Sequence, residues 1–330
     1  MTDERPAAPI AVLGAGSWGM ALAIQFARSG KPTRLWGRDA TRIQALAGSG
    51  SEFPRALSIG ADLSSAVRGA RDVLVAVPSY AFREVLGELA PLLASEMRLA
   101  WATKGFEPQS GQLPHQIARE ILGVGRAFAV LSGPTFAAEV RGGLPTAMTV
   151  ASPDAAFAGA LAHDLSSSNF RAYTSTDIIG VEVGGAVKNV LAIGAGLSDG
   201  LGFGANTRVA LITRGLLEMT RLGTALGARR ETFMGLAGLG DLVLTSTDDQ
   251  SRNRRLGLLI AAGRTVEQAR EQIGQVVEGV SAAKAVHSVA AREQVEMPLC
   301  TGIYQVLYEE LSARDVVRAL MARPIKPELE

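Results

Sequence analysis

Lys188 is the only charged side chain between Glu182 and Asp199, in the run Val-Glu-Val-Gly-Gly-Ala-Val-Lys-Asn-Val-Leu-Ala-Ile-Gly-Ala-Gly-Leu-Ser-Asp. Apolar residues go all the way round the helical wheel there, which predicts a buried helix rather than a surface one. Burial disfavours an ammonium, so such a lysine needs a partner or a chemical task, unless its head reaches water along a packed stem. Gly184, Gly185, Ala192 and Ala195 share its face at helical spacings and predict room for a ligand beside the amine. An ammonium held at that place can protonate an oxygen that gains negative charge in a reaction. Matching chemistry lies elsewhere in the chain. Lys104 sits in Thr-Lys-Gly, Asp241 closes the glycine-rich run from Gly235, and Thr245 lies one helical turn beyond it. Ser251 suits a helix cap, which puts Arg252 and Asn253 in the first turn. Cations there oppose the helix dipole, a cost that fits a bound anion such as phosphate. Arginines without interleaved aromatics argue against nucleic acid.

A second constellation opens the chain. The apolar run from Pro9 to Leu13 feeds Gly14-Ala-Gly-Ser-Trp-Gly19 and then a helical stretch from Met20 to Ser29. In that strand–turn–helix context, Gly14 permits the tight turn and Gly16 lets a pyrophosphate approach the backbone. Gly19 lets helix pack on strand. The helix start offers unpaired N–H groups to the phosphates. The next strand, Thr33 to Trp36, ends at Gly37-Arg38-Asp39. An acid there holds ribose hydroxyls in NAD sites, whereas Arg38 can grip a 2′-phosphate. NADP(H) is therefore favoured, NAD(H) stays open through Asp39, and Asp39 doubles as the cap of a helix over 40–48.

The elements that must position these groups follow from patterning. Buried strands are expected at 72–77, 98–102, 127–131 and 146–151, with a last short one at 170–173. Helices are expected at 80–94 (capped by Ser79), 113–122 and 153–165. This alternation predicts an α/β fold, a doubly wound and mostly parallel sheet that presents ligands at the C-terminal ends of its strands. Strand 98–102 delivers Lys104 to that edge, and strand 127–131 delivers Gly133 and Thr135. After Val181 the strand signals stop, so residues 1–180 form a dinucleotide-binding domain and 181–330 an all-helical second domain. In the latter, Gly200 to Gly204 breaks the chain and Asn206 caps a helix to about Leu226. A glycine-rich turn covers 235–241, and helices follow at 256–262, 266–273, 281–293 and 299–311. Ser312 to Asp315 forms a capping box, and a loose tail begins at Pro324.

Composition narrows the class. The 330 residues are 47% apolar with a formal net charge of +1, enough for two cores and without a call for nucleic acid or an anionic membrane. Cys300 is the single cysteine, and His115, His163 and His287 lack ligand spacing, so neither a disulfide nor a metal site is expected. No run reaches membrane-spanning length without charge or glycine. Asp3, Glu4 and Arg5 before the short first apolar run do not read as a signal peptide, which leaves a cytoplasmic protein as the expectation.

The motifs GAGSWG, WGRD, ATKG, LSGPTFA, VEVGGAVKNV, DGLGFGANTRVALITRGL, GLAGLGDL and SRNRRLG, in this order over residues 10–280, resemble bacterial NAD(P)-dependent glycerol-3-phosphate dehydrogenase. The resemblance implies a Rossmann-like domain followed by a helical substrate domain. It also implies interconversion of dihydroxyacetone phosphate and sn-glycerol 3-phosphate for phospholipid synthesis, and a homo-oligomer, a dimer. Carried over by motif position, it makes Lys188 the proton donor and acceptor, and Lys104 a substrate contact near the nicotinamide. Ser17, Trp18, Arg38, Ala137, Val276 and Glu278 become cofactor contacts beside Gly14, Gly16 and Gly19. Gly133, Thr135, Asp241, Thr245, Ser251, Arg252 and Asn253 become substrate contacts, with Arg252 also near the cofactor. Asp241 either orients Lys188 or holds a substrate hydroxyl. Two rivals differ in what they require. A related reductase of another hydroxy acid would not need the phosphate-suited start of the Ser-Arg-Asn-Arg-Arg helix, and an NADPH sensor without turnover would not need Lys104, Lys188 and Asp241 together.

Overall fold

The computed structural model describes residues 8–48, 53–325 and 327–328. Asp3, Glu4 and Arg5, and residues 326, 329 and 330 of the tail, lie outside them. The chain divides into two compact units. One holds the residues up to Thr103 together with Pro114–Ile178, and the other holds Lys104–Leu113 together with Ile179 onward.

The first unit is an eight-stranded sheet with β1 (Ile10–Leu13), β2 (Thr33–Trp36), β3 (Leu57–Gly60), β4 (Asp72–Val75), β5 (Arg98–Trp101), β6 (Phe128–Ser132), β7 (Thr146–Ala151) and β8 (Phe170–Ser175). Its helices are α1 (Ser17–Arg28), α2 (Ala40–Gly48), α3 (Leu63–Val67), α4 (Ser79–Leu89), α5 (Pro114–Leu122), α6 (Ala137–Gly142) and α7 (Ala155–Leu165). The strand order is β3-β2-β1-β4-β5-β6-β7-β8, and every neighbouring pair is parallel except β6 with β7. Strands β1 and β4 are buried along their whole length, as expected where helices cover both faces. The order reverses at β1, so the crevice between the ends of β1 and β4 is where such a sheet binds a ligand. Strand β3, Leu-Ser-Ile-Gly, is only partly buried and too short and polar to announce itself in the sequence. Ser79 opens α4 rather than capping it, because Pro78 takes the cap position.

The second unit is helical: α8 (Ile178–Gly200), α9 (Gly204–Ala225), α10 (Asp241–Thr247), α11 (Arg252–Ala261), α12 (Val266–Ile273), α13 (Glu278–Arg292), α14 (Pro298–Tyr308) and α15 (Ala313–Met321). Helix α8 has the length and hydropathy to cross a membrane, but 94% of its apolar window is buried, as the all-round apolar wheel predicts. Asn206 falls inside α9, since Phe203 is the residue that precedes the helix. Thr265 and Gln268 form a reciprocal capping box on α12, and Ser312 caps α15. At Glu328 the described chain is held by one contact, in which Arg214 donates to its carbonyl.

Candidate active site

Within the first unit, the turn after β1 behaves as its three glycines require. Gly14 has φ +120°, and a Cβ there would lie 2.5 Å from the Ala76 carbonyl oxygen at the end of β4. A Cβ on Gly19 would fall 1.9 Å from the Gly14 oxygen, so only glycine lets α1 pack this closely. Gly16 has nothing within 4 Å of its own Cβ position. Open space therefore lies over the second glycine, α1 starts without a side-chain cap, and the Trp18 indole Nε1 is buried without a hydrogen-bond partner. These are the features a dinucleotide pyrophosphate fits.

Arg38 follows β2 as expected, with its side chain 55% exposed. Its guanidinium meets Glu84 at 3.2 Å and Glu88 at 3.6 Å, both on α4. Sequence reasoning missed these carboxylates, which lie some fifty residues on. Asp39 accepts from the Arg42 N–H at 3.0 Å and so caps α2. Gly133 leaves β6 where a Cβ would meet the Met148 Cα at 2.9 Å. The Thr135 hydroxyl donates to the Gly133 carbonyl, and Ala137 opens α6.

The second unit assembles the ionisable cluster. The Asp241 carboxylate, 1% exposed, accepts from Lys188 Nζ at 2.5 Å through Oδ1 and from Lys104 Nζ at 2.6 Å through Oδ2. Thr245, one turn along α10, accepts from Lys188 Nζ at 2.9 Å and donates to the Asp241 carbonyl at 2.6 Å. Three segments far apart in sequence thus meet on one carboxylate. Gly184 explains how, and differently from the sequence expectation. A Cβ there would lie 2.3 Å from the Ala237 carbonyl oxygen, so this glycine makes room for a main chain rather than for a ligand. Residues 235–241 are correspondingly not an open turn but a π-helical turn, Leu236–Gly240, that runs into α10 and presents Asp241.

Electrostatics sharpen the cluster. Burial lowers the Lys188 ammonium to about 8; Asp241 opposes the fall, and the like charge of Lys104 adds to it. Burial acts to raise the Asp241 carboxyl, but the charges of Lys104 and Lys188 outweigh it and hold the group below its usual value. Glu278, partly buried at the start of α13, is pushed up by burial, against the charges of Arg252, Lys104 and Lys188.

Ser251 caps α11 by accepting from the Arg254 N–H. Helices α8 and α11 cross with main chains nearly touching. A Cβ on Gly196 would lie 2.0 Å from the Arg254 oxygen, and one on Gly257 would lie 2.1 Å from the Ile193 oxygen. Arg254 is committed to structure, pairing with Asp199 and with Asp249 at 2.8 Å. The Asn253 carboxamide donates to Asn189 Oδ1 and accepts from the Gly279 N–H, each at 2.9 Å, which leaves one N–H for a ligand. Asn189 and Arg254 were not expected. The only signal for Asn189 is its place beside Lys188. Arg252 is partly buried, and Val276 is 46% exposed ahead of α13.

Comparison with known proteins identifies the family. Residues 9–158 match the family described as NAD-dependent glycerol-3-phosphate dehydrogenase N-terminus, and residues 177–318 match the corresponding C-terminus. The chain belongs to the NAD-dependent glycerol-3-phosphate dehydrogenase family. It is 54% identical to the NAD(P)+ glycerol-3-phosphate dehydrogenase of Tolumonas auensis, over 98% of this chain and 99% of that one. It is 55% identical to the enzyme of the same name from Methylococcus capsulatus, over 97% and 98%. The crystal structure of glycerol-3-phosphate dehydrogenase from Coxiella burnetii superposes with a TM-score of 0.92 at 44% identity, covering 96% of this chain and 99% of that one.

Proposed function

We propose that this chain interconverts dihydroxyacetone phosphate and sn-glycerol 3-phosphate with NADP(H), and less readily with NAD(H). The observation that carries the mechanism is the buried Asp241 carboxylate shared by Lys104 and Lys188. In the first unit Gly14, Gly16, Ser17, Trp18, Gly19 and Ala137 hold the dinucleotide and Arg38 selects its 2′-phosphate; in the second, Val276, Glu278 and Arg252 are cofactor contacts by their place in the family motifs. When bound, the nicotinamide supplies the hydride. Lys188 Nζ delivers the proton to the substrate's C2 oxygen in reduction and takes it back in oxidation, a task suited to a group near pKa 8. Asp241 and Thr245 fix the direction of that amine, and Lys104 adds a second positive charge for the developing alkoxide. Arg252, Asn253 and Ser251 in the second unit take the substrate phosphate, and Gly133 and Thr135 in the first are substrate contacts by their place in the family motifs. Family membership supports a cytoplasmic homodimer serving phospholipid synthesis as part of the same proposal.

The test is the fall of NADPH absorbance on adding dihydroxyacetone phosphate, repeated with NADH and with unphosphorylated dihydroxyacetone. Rapid oxidation with the phosphorylated ketone alone is the expected result. In Arg252→Ala, with NADPH affinity measured alongside and NADPH held saturating, KM for the phosphorylated ketone rises strongly and the poor rate with dihydroxyacetone stays as it was. Equal loss on both ketones would move the phosphate site elsewhere, and no oxidation at all would favour a sensor.

A further inference from the structure

The second unit contains a cavity of about 600 Å³ that the reaction does not use. Helices α8, α9, α14 and α15 wall it, with Leu197, Leu211, Ile303, Val317 and Leu320 among the apolar side chains facing it. Its size falls within the range of small-molecule sites. Helix α15 is seated tightly along one edge, where a Cβ on Gly302 would lie 2.4 Å from Val316 Cγ1, so the space persists beside close packing and is not a product of loose packing. One further observation bears on what fits. The lining carries three guanidinium groups, Arg214, Arg221 and Arg323, against two carboxylates, Glu218 and Glu296. Both carboxylates are already engaged: Glu296 pairs with Arg323 at 3.1 Å, and Glu218 accepts from the Leu299 and Cys300 N–H groups at the start of α14. Arg214 bonds the neutral Glu328 carbonyl and keeps its charge.

We propose that this cavity is a binding site for a single-chain anionic amphiphile, a medium-length alkyl carboxylate taken up as a free monomer. Its chain lies among the helices and its head lies by Arg214. The proposal goes beyond the dehydrogenase reaction and does not depend on it.

Isothermal titration of the full-length protein with octanoate, decanoate and dodecanoate tests it, with dodecyltrimethylammonium as the cationic counterpart and anionic phosphatidylglycerol vesicles as a separate arm. Saturable one-to-one binding is expected, tightening about fourfold per methylene along the carboxylate series. Val317→Trp, which fills the cavity, weakens decanoate at least tenfold. Arg214→Glu weakens the carboxylates and not the ammonium amphiphile, and it keeps the test independent should the tryptophan variant fail to fold. The proposal is overturned by the absence of saturable binding, by equal affinity for the cationic amphiphile, by wild-type binding in both variants, or by association with vesicles alone.

Discussion

Replacing Asp241 by Asn removes the charge that holds two lysines without changing the side chain's size. In the wild-type protein, burial lowers Lys188 to about 8, and the Asp241 charge is the largest influence against that fall. In the proposed mechanism ketone reduction needs protonated Lys188, so reduction is expected to decline as pH rises through about 8. Oxidation of the alcohol needs the neutral amine and rises over the same interval. A charge-assisted hydrogen bond contributes roughly 1.5–3 kcal/mol. Losing it from the ammonium form moves the Lys188 titration acidward by about one to two pH units. At pH 8 the protonated fraction then falls from about one half to between about one-tenth and one-hundredth, and reduction slows about five- to fiftyfold. The assay is the pH profile of NADPH oxidation at saturating dihydroxyacetone phosphate for both proteins, with melting temperature and NADPH affinity measured on the same samples. A folded, cofactor-binding Asp241→Asn protein whose descending limb stays at the wild-type pH would refute the reasoning, because Lys188 acidity would then not be set by this carboxylate.

Three other outcomes follow from the geometry. Lys188→Met keeps an apolar stem in the buried helix and lowers turnover by about 10²–10⁴-fold with NADPH binding retained; near-normal turnover in a folded sample would remove Lys188 from the mechanism. Arg38→Asp weakens NADPH relative to NADH by at least about tenfold, since it deletes a phosphate partner and adds a third carboxylate beside Glu84 and Glu88; parallel loss of both cofactors would show that Arg38 does not read the 2′-phosphate. Gly184→Ala puts a methyl where the Ala237 oxygen lies 2.3 Å away and costs about 1–3 kcal/mol, visible as a lowered melting temperature together with lost activity; an unchanged protein would mean the α8 contact is soft.

The two constellations differed in how far the sequence revealed them. The dinucleotide turn is local: strand, three glycines and helix are contiguous, so one stretch of chain carries both the pattern and its physical reason. Lys188 was conspicuous because a charge in an all-round apolar helix has few explanations. What it bonds to was not legible, since Asp241 lies 53 residues away and Lys104 lies 137 residues from Asp241. No periodicity encodes such a meeting. Gly184 was read as space for a ligand because small residues look the same whether a substrate or a main chain fills the gap. Strand β3 escaped notice for the opposite reason: an edge strand half open to solvent needs little apolar patterning. The carboxylates around Arg38 and the ion pairs of Arg254 are charges whose partners only the fold supplies.

The contacts of α8 at Gly184 and Gly196 are made by main-chain atoms and not by side chains. A side chain can change rotamer when a neighbour is altered or the temperature rises, whereas a carbonyl seated against a Cα yields only if the backbone that carries it moves. Lys188 and Asp241 are therefore carried on segments held together by main-chain contact, like two parts bolted together without a gasket.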